Sequence, residues 1–495
     1  MGMTIDRLFS ALPVELPETY TDHEIDAVSY DSRMCAPGTL FVCIRGTVSD
    51  GHKYARDAYG RGCRAFLAEE PLDLPSDAAV ILCENSRRML ALVSAELYER
   101  PADKLRIIGV TGTKGKTTTC LLIHSILNAA GIPTGYIGGV GVMFAGQRMS
   151  TLRTTPESAD LHLYFHKMLA AGITTVVMEV SSQAVFMERI HGIKFDTCVY
   201  TNLSPDHIGE VEHPTFEHYR DCKARVFSDY GCEFVVYNAD DENAGYMLRG
   251  VTAESVSVSM RDENADYYAD NISKWQSDGA LGVDFTLSDN AGAHRIRLMT
   301  PGAFSVSNAS LAVAVCRHFG ASYGAITDAL SKATPLGRFE VVNALPYATF
   351  VIDYAHNELS LRSALSVLRE YEPRRLIVLV GSVGGRTFSR RAPMGRAISE
   401  LADLCILTAD DPDFEDPMDI IHDILEGFGD RDTPFVCIPD RRDAVEYAVS
   451  EARPGDIILL AGKGHESFIL IEGEHLPFSE RKIISEAASK LPLGV

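Results

Sequence analysis

A glycine-rich segment constrains the fold of this chain more than any other feature of its sequence. The segment GVTGTKGKTT covers residues 109–118; it follows the apolar run 105–110 and precedes a stretch that we expect to be helical. Glycines let a loop wrap closely around a phosphate group, so that backbone N–H groups point at its oxygens. In such a loop Lys116 reaches the outer phosphates and Thr117 binds Mg²⁺. The order of strand, loop and helix therefore predicts an ATP-binding α/β domain.

The phosphate loop alone leaves the class of protein open. Gly112 and Gly115 are closer in sequence than the glycines of the common GxxxxGK[ST] pattern. An ordinary glycine turn before a helix is the simplest alternative. A kinase, an ATPase and a ligase all remain compatible with the loop, so the rest of the chain has to decide among them.

Composition narrows the class of protein further. The 495 residues suggest roughly two to four domains, and 46% hydrophobic with 23% charged residues is typical of a globular protein. A net charge of −22 argues against a nucleic-acid binder, which needs clustered Lys and Arg. We find no signal peptide, no apolar run long enough to span a membrane, and no CxxC spacing among the 11 cysteines. These features predict a cytoplasmic protein without a membrane span.

Apolar runs and breaks predict three α/β domains, at residues 1–103, 104–336 and 337–495. The first ends in a helix at 86–98 and a linker at 101–103. The strands expected in the first two domains are 39–44, 65–67, 79–83, 105–110, 174–179 and 198–202. Those expected in the third are 350–354, 376–380, 404–408, 435–438 and 457–460. Because helical stretches separate these last strands, we predict a parallel, Rossmann-like sheet.

Further short motifs follow the phosphate loop in a fixed order. They are Thr154-Thr155-Pro156, MEVSS at 178–182, TNLSPDH at 201–207, Lys223, Asn308, GRFE at 337–340, DYAHN at 353–357 and GKGHE at 462–466. Together with the loop they resemble the Mur ligase family, which includes folylpolyglutamate synthetase and cyanophycin synthetase. The segments YDSR at 30–33 and PGTLFV at 37–42 resemble the UDP-binding domain of the branch that adds the third residue of the peptidoglycan stem peptide.

The resemblance implies that ATP activates a carboxylate of UDP-N-acetylmuramoyl-L-Ala-D-Glu as an acyl phosphate, which the incoming amine attacks. Such phosphoryl transfer needs Mg²⁺ and cationic groups. The catalytic residues implied are Lys116, Glu179, His207, Lys223 and Arg338, and the metal-binding residues implied are Thr117, Glu179, His207 and Lys223, the last as a carbamate. The ATP-binding residues implied, besides Lys116 and Arg338, are Gly112, Thr113, Lys114, Gly115, Thr117, Thr118, Asn308, Asp353 and His356. Without the resemblance, the sequence is equally compatible with Lys223 as a surface lysine, and Asn308 would be interpreted as a helix cap.

The resemblance also implies residues for the other two substrates. For the UDP-muramoyl dipeptide they are Ser32, Thr154, Thr155, Ser181 and Arg189. For the incoming amino acid they are Arg386, Asp410, Asp411, Asp413, Gly462 and Glu466. Two departures bear on local contacts: Met187 stands where the family usually has Gln, and the segment before Lys223 is two residues longer than usual.

Asp413 decides the expected amino acid. It stands where ligases specific for meso-diaminopimelate carry an Arg that pairs with the distal carboxylate. A carboxylate at this position attracts an ammonium, so we expect L-lysine, with ornithine or meso-diaminopimelate as alternatives. The acidic run around Asp413 is alternatively a solvated loop that caps the next helix. We expect the ligase to act as a monomer. The alternatives to this ligase are a Mur-like paralogue with another acceptor and a non-catalytic nucleotide-binding protein.

Overall fold

The computed structural model describes residues 2–18, 20–46, 49–206, 208–209 and 212–491. The chain divides into two compact units, Met1–Tyr267 with Leu311–Ala321, and Tyr268–Ser310 with Ser322–Val495. Both units combine helices with parallel sheets, which confirms the predicted α/β class. Among the described residues, no helix combines the length and the apolar character needed to cross a bilayer.

The N-terminal part of the first unit is built on a small parallel sheet. Its elements are β1 (Met3–Thr4), α1 (Ile5–Phe9), β2 (Glu24–Ile25), β3 (Ala27–Ser29), β4 (Thr39–Val42), α2 (Ala55–Gly60), β5 (Ala65–Ala68), β6 (Ala79–Leu82) and α3 (Ser86–Leu97). The strand order is β3-β4-β5-β6, all parallel. β4 and β5 are buried along their whole length, so they read as continuous apolar runs in the sequence.

The remainder of the first unit carries the phosphate loop. Its elements are β7 (Arg106–Thr111), α4 (Lys116–Ala129), β8 (Thr134–Gly138), β9 (Gly141–Phe144), β10 (Gln147–Met149), α5 (Ser158–Ala170), β11 (Thr175–Glu179), α6 (Ser182–Phe186), β12 (Thr197–Tyr200), α7 (Phe216–Ser228), β13 (Phe234–Asn238), α8 (Ala244–Met247) and β14 (Glu254–Ser259). β7 is a central strand between β11 and β12, and all three are parallel. The carboxyl ends of these strands therefore deliver the phosphate loop and the segments after Glu179 and Tyr200 to one edge.

The segment predicted as a linker, residues 101–103, is structured. Pro101–Lys104 forms a 3₁₀ helix, in which Pro101 and Ala102 are buried. Arg100 adopts a left-handed conformation with φ of 49°, and Pro101 follows it at the first helical position. Proline is favoured at this position because its fixed φ suits a helix start. The connection between the first two predicted domains is thus part of the packed structure.

The second unit contains long antiparallel strands followed by a second α/β sheet. Its elements are β15 (Tyr267–Ser277), β16 (Ala280–Asp289), β17 (Gly292–Leu298), α9 (Ala303–His318), α10 (Tyr323–Leu330), β18 (Glu340–Leu345), β19 (Ala348–Asp353), α11 (Glu358–Arg369), β20 (Arg375–Val380), α12 (Phe388–Leu401), β21 (Leu404–Leu407), α13 (Pro417–Leu425), β22 (Phe435–Cys437), α14 (Arg441–Ser450), β23 (Asp456–Ala461), β24 (Phe468–Ile471), β25 (Glu474–Pro477) and α15 (Glu480–Lys490). α9 begins in this unit and its last residues belong to the first.

The five parallel strands predicted in the C-terminal domain are confirmed, in the order β19-β23-β20-β21-β22. The sequence did not reveal the antiparallel edge strand β18, which pairs with β19, or the hairpin of β24 and β25. β19, β20 and β23 end beside one another, at Asp353, Val380 and Ala461. Three of the predicted site segments therefore start at one edge of this sheet.

Candidate functional site

The phosphate loop is held in place by the segment that follows β12. Thr113 N–H donates to the carbonyl oxygen of Asn202 at 2.8 Å, and Lys114 N–H donates to the Asn202 side-chain oxygen at 2.9 Å. Gly112 has a φ of +146°, and a Cβ there would overlap Thr201 Oγ1. Only glycine fits at this position. The N-terminus of α4 then follows Gly115, and the backbone N–H groups of a helix N-terminus are of the kind that bind phosphates.

Glu179 and Thr117 form the centre of the predicted metal site. The carboxylate of Glu179 accepts hydrogen bonds from Thr117 Oγ1 at 3.0 Å, Tyr136 OH at 2.7 Å and Gly139 N–H at 2.8 Å. The sequence missed Tyr136, because a buried aromatic residue inside a strand reads as core. The two oxygen-bearing side chains suit a hard cation such as Mg²⁺, which prefers carboxylate and hydroxyl oxygens.

Three lysines surround the phosphate loop. Lys116 Nζ donates to the carbonyl oxygens of Gly112 and Thr113 at 2.8 and 3.0 Å, while the more exposed Lys114 pairs with Asp206 at 3.1 Å. Lys223, on α7, is 1% exposed and donates to the carbonyl oxygen of Gly112 at 2.8 Å. Burial, with the nearby charge of Lys116, holds the pKa of Lys223 well below its ordinary value. Lys223 is therefore not a surface lysine.

Three of the residues predicted for the UDP-muramoyl dipeptide, Thr155, Ser181 and Arg189, lie together next to Glu179. Thr155 Oγ1 donates to the carbonyl oxygen of Glu179 at 2.9 Å and lies 3.2 Å from Ser181 Oγ. Arg189 donates to the carbonyl oxygen of Thr155 at 3.3 Å. Ser32 begins a 3₁₀ helix in the N-terminal sheet region, and no hydrogen bond within the described chain joins it to this group.

A buried glutamate beside this group forms ion pairs with three arginines. Glu157 is 2% exposed and forms ion pairs with Arg87 at 3.2 Å, Arg153 at 3.3 Å and Arg189 at 3.1 Å. One carboxylate neutralises one of the three guanidinium charges, so the cluster keeps an excess of positive charge. Sequence reasoning missed Arg87, which lies on α3, because its partner is 70 residues away.

In the second unit, three predicted segments meet at the carboxyl edge of the C-terminal sheet. A Cβ on Gly337 would overlap the backbone of His465, so the loop carrying Arg338 packs against the loop of residues 462–466. Asp353 accepts a hydrogen bond from Phe339 N–H at 2.8 Å, and burial raises the pKa of this carboxyl. His356 Nδ1 lies 2.8 Å from the carbonyl oxygen of Tyr354, and burial lowers the pKa of its imidazole.

The structure does not place two of the predicted residues, His207 and Asn308, with the groups above. His207 lies outside the described residues. Asn308 is buried in the interior of α9, at 5% exposure, and does not cap that helix. The alternative reading of Asn308 as a helix cap is therefore wrong.

The carboxyl edge of the C-terminal sheet also carries an acidic cluster, defined by Asp410, Asp411, Glu466 and the buried Lys463. Lys463 Nζ lies 2.8 Å from Asp411, 2.6 Å from Glu466 and 3.4 Å from Asp410. Burial opposes its charge, but the carboxylates of Asp410, Glu466 and Asp411 together raise the pKa of Lys463. Gly462 has a φ of +113°, and a Cβ there would come within 2.7 Å of Asp410 Oδ2. Three carboxylates around one ammonium leave the cluster negative, which suits a cationic ligand group.

Asp413 has a structural contact that its place in the sequence does not indicate. Asp413 adopts a φ of +52°, and its Oδ1 accepts a hydrogen bond from Gly473 N–H at 2.8 Å. Its backbone N–H and carbonyl oxygen bond Leu470 and Glu472. The carboxylate thus supports the turn of the hairpin between β24 and β25, which was missing from the sequence interpretation. One oxygen of this carboxylate is therefore engaged in the hairpin turn.

Arg386 is exposed, and the loop preceding it is held by two residues that sequence reasoning missed. The fully buried Arg391 donates to Glu415 at 2.6 and 2.8 Å and to the carbonyl oxygen of Val383 at 3.0 Å. Gly385 N–H donates to the same Glu415 carboxylate at 2.7 Å. The ion pair between Arg391 and Glu415 therefore fixes the loop that carries Arg386.

A second buried ion pair supports the acidic cluster. Arg441 is 1% and Glu480 4% exposed, and Arg441 Nη2 donates to Glu480 Oε1 at 2.7 Å. The guanidinium also donates to the carbonyl oxygens of Ala409 at 3.0 Å and Ala461 at 2.8 Å. These carbonyls directly precede Asp410 and Gly462, so Arg441 joins the two segments that supply the cluster.

Comparison with known proteins identifies the family of this chain. Three family models match in chain order: the Mur ligase family, catalytic domain at residues 24–98, the Mur ligase middle domain at 110–316 and the Mur ligase, glutamate ligase domain at 337–464. A relative from Geobacillus kaustophilus is 37% identical over 487 residues, which cover 96% of this chain and 98% of the relative. The chain belongs to the Mur ligase family.

This Mur ligase is also 35% identical to a relative from Geobacillus thermodenitrificans, with 99% and 100% of the two chains covered. Both relatives are named UDP-N-acetylmuramoyl-L-alanyl-D-glutamate–2,6-diaminopimelate ligase. A solved structure of that name has a TM-score of 0.69 at 28% identity and covers 99% of both chains. MurF from Acinetobacter baumannii, at 20% identity and a TM-score of 0.67, supports the fold alone.

These matches confirm the resemblance to the Mur ligases and to their tripeptide-forming branch. The chain is an ATP-dependent ligase that forms peptide bonds in peptidoglycan synthesis. The non-catalytic nucleotide-binding protein considered from the sequence is therefore excluded.

Proposed function

We propose that this Mur ligase uses ATP to join meso-diaminopimelate to UDP-N-acetylmuramoyl-L-Ala-D-Glu. The observation that carries the reaction is the arrangement of Thr117, Glu179 and Lys223 around one phosphate loop. The names of the full-length relatives support the choice of amino acid. They favour the diaminopimelate alternative over the L-lysine that Asp413 led us to expect.

The phosphate loop binds the outer phosphates of ATP through the N-terminus of α4 and through Lys116. Lys116 exchanges the carbonyl oxygens of Gly112 and Thr113 for phosphate oxygens, which are better partners for an ammonium. The oxygens of Thr117 and Glu179 lie 3.0 Å apart and suit the ligation of one Mg²⁺. When bound, this ion supplies charge neutralisation for the transferring phosphoryl group.

Lys223 acts as a carbamate in this proposal. Carbamylation joins the Nζ lone pair to the carbon of CO₂ with loss of one proton, so it requires the neutral amine. Burial and Lys116 favour that neutral amine. The product is an anion, which removes the repulsion between a second ammonium and the metal beside the phosphates.

The UDP-muramoyl dipeptide places its carboxylate beside Thr155, Ser181 and Arg189 in this proposal. The excess positive charge of the arginines around Glu157 suits an acidic dipeptide. The proposed role of Ser32 is to bind the same substrate from the N-terminal domain. We place the three domains at residues 1–103, 104–336 and 337–495, and expect a monomer.

The acidic cluster receives the incoming amino acid in this proposal. Asp410, Asp411 and Glu466 attract an amino group, and the exposed Arg386 binds a carboxylate. Arg338, Asp353, His356 and Asn308 are proposed to complete ATP binding. Asp413 and Gly462 are proposed to line the same site, and the preference for L-lysine expected from Asp413 is withdrawn because the relatives are named for 2,6-diaminopimelate.

The test is phosphate release with ATP, Mg²⁺ and UDP-N-acetylmuramoyl-L-Ala-D-Glu. Meso-diaminopimelate, ornithine and L-lysine are supplied in parallel, and the product is identified by mass. We expect kcat/KM to be highest with meso-diaminopimelate. A preference for lysine or ornithine would keep the ligase and overturn the amino acid, and no turnover with any of the three would favour the paralogue with another acceptor.

A further inference from the structure

A group of soft metal ligands lies beside the phosphate-loop site but takes no part in the proposed reaction. This His–Cys cluster consists of His213, His218 and Cys222. His218 and Cys222 are four positions apart on α7 and therefore project from the same face of the helix. His213 precedes α7, and its side chain is fully buried.

The atoms of the cluster converge on one point. His213 Nδ1 and His218 Nδ1 lie 2.9 Å apart, and one ligand atom from each of the three residues lies within 4.8 Å of the others. The ligand atoms of a tetrahedral zinc site, with bonds of about 2.0–2.3 Å, are roughly 3.3–3.8 Å apart. The two nitrogens therefore need to separate by a few tenths of an ångström, and the thiol sulfur needs to come closer by no more than about 1 Å.

Ser182 orients the buried histidine. His213 Nε2 lies 2.9 Å from Ser182 Oγ, so the hydroxyl fixes one ring nitrogen and leaves Nδ1 directed at His218. Metal-binding histidines typically have a polar partner on their other nitrogen. Phe186 packs edge-on against His218, with ring centroids 4.9 Å apart, and also contacts His213. Both rings are thus held in place before any ligand arrives.

We propose that the His–Cys cluster binds a thiophilic divalent cation, with Zn²⁺ as the probe. Two imidazole nitrogens and a thiolate select zinc-like ions and disfavour Mg²⁺, which prefers oxygen ligands. Binding replaces the contact between the two histidines by two metal–nitrogen bonds. The Cys222 thiol loses its proton to form the metal–sulfur bond, and water occupies the fourth position.

The His–Cys cluster is adjacent in sequence to residues of the reaction centre, but the two sites share no ligand. Cys222 directly precedes Lys223, whose Nζ contacts the phosphate loop, and Ser182 directly follows Ser181. A bound ion would tie α7 to the loop that precedes it. The site is distinct from the proposed Mg²⁺ position at Thr117 and Glu179, so the two metals can be titrated separately.

The experiment uses the full-length protein after treatment with a chelator. Zn²⁺ affinity is measured by competition with a chromophoric chelator, and Co²⁺ is added to detect the absorption of a cobalt–thiolate bond. We expect one equivalent of metal, retained in excess Mg²⁺. Cys222→Ser and His218→Gln should each weaken binding by at least about tenfold, and Ser182→Ala by about tenfold. Cys437→Ser, which removes a partly buried thiol in the second unit, is the control and should bind as the wild type does.

Circular dichroism and thermal unfolding verify that each variant folds, and the conservative Ser and Gln replacements keep the local volume. Loss of the cobalt–thiolate absorption in Cys222→Ser but not in Cys437→Ser would support the site. Absence of a bound equivalent in the folded wild type would overturn it. Equal metal affinity in the wild type, Cys222→Ser and His218→Gln would also overturn it, because the metal would then lie elsewhere.

Discussion

The phosphate loop and the acidic cluster hold their charged groups by different means. Around the phosphate loop, Lys116 and Lys223 donate to backbone carbonyl oxygens, and Glu179 accepts from a hydroxyl, a phenol and a backbone N–H. In the acidic cluster, Lys463 is surrounded by carboxylates, and the buried pair of Arg441 and Glu480 lies beneath. The first region is held mainly by neutral hydrogen-bond partners and the second mainly by opposite charges.

This difference predicts where each region is sensitive. Neutral partners can release a charged side chain to a ligand at little cost, because a backbone carbonyl is not left with an unbalanced charge. Removing one member of a buried ion pair leaves the other charge buried and uncompensated. Substitutions around the phosphate loop should therefore impair turnover more than folding, and substitutions beneath the acidic cluster should impair folding first.

The largest effect on turnover is expected for Lys116→Met. Loss of the ammonium that stabilises the transferring phosphoryl group should lower kcat by about 10³-fold with little change in the thermal unfolding midpoint. Lys104→Met is the matched control, since Lys104 lies in the same unit but outside the phosphate loop, has a 53% exposed side chain and pairs with Glu99. It should change kcat by less than about threefold, because exposed pairs contribute little. Phosphate release at saturating substrates measures both, and equal losses would contradict the assignment of Lys116.

The phosphate-loop residues were predictable because they lie in contiguous motifs at the ends of apolar strands. Lys116, Thr117 and Glu179 follow β7 or end β11, and the parallel sheet brings those ends together. Arg441 and Glu480 were not predictable, because each reads as an ordinary polar residue in the first turn of a helix. Their pairing arises from packing between α14 and α15. The contact between Asp413 and Gly473 was not predictable for the same reason, since it depends on a hairpin that the sequence did not reveal.

The next largest effect is expected for Arg441→Met, on the stability of the second unit. Glu480 and two backbone carbonyls lose their partner, so the free energy of unfolding should fall by about 3 kcal/mol. Trp275 is the single tryptophan and lies in this unit, so its fluorescence in urea follows the transition. Arg442→Met, at a neighbouring residue with a 48% exposed side chain, should leave the midpoint nearly unchanged. A similar midpoint for both variants would show that the buried pair does not stabilise the unit.

Substitutions of Lys223 test whether a negative charge is needed beside the phosphate loop. Lys223→Met should lower kcat by about 10²-fold, a loss of the size expected when one charged group is removed from a preorganised site. Lys223→Glu supplies a carboxylate in place of the carbamate, and we expect it to retain about ten times the activity of the Met variant. Phosphate release measures both, with circular dichroism as the folding control. If the Glu variant were no more active than the Met variant, Lys223 would act as an amine and not as a carbamate.

The smallest effect is expected for Asp413→Asn, which separates the two readings of this residue. Asn tolerates the left-handed conformation and keeps an oxygen for the Gly473 N–H, so the hairpin should survive the loss of charge. We expect the ratio of kcat/KM for meso-diaminopimelate and L-lysine to change by less than about threefold, a difference under about 0.7 kcal/mol. Asp411→Asn, which removes a charge from the acidic cluster, should weaken the binding of every amino acid tested. A shift of preference toward diaminopimelate in Asp413→Asn alone would support Asp413 as the selecting group, because loss of its charge would then have relieved the repulsion of the distal carboxylate of diaminopimelate.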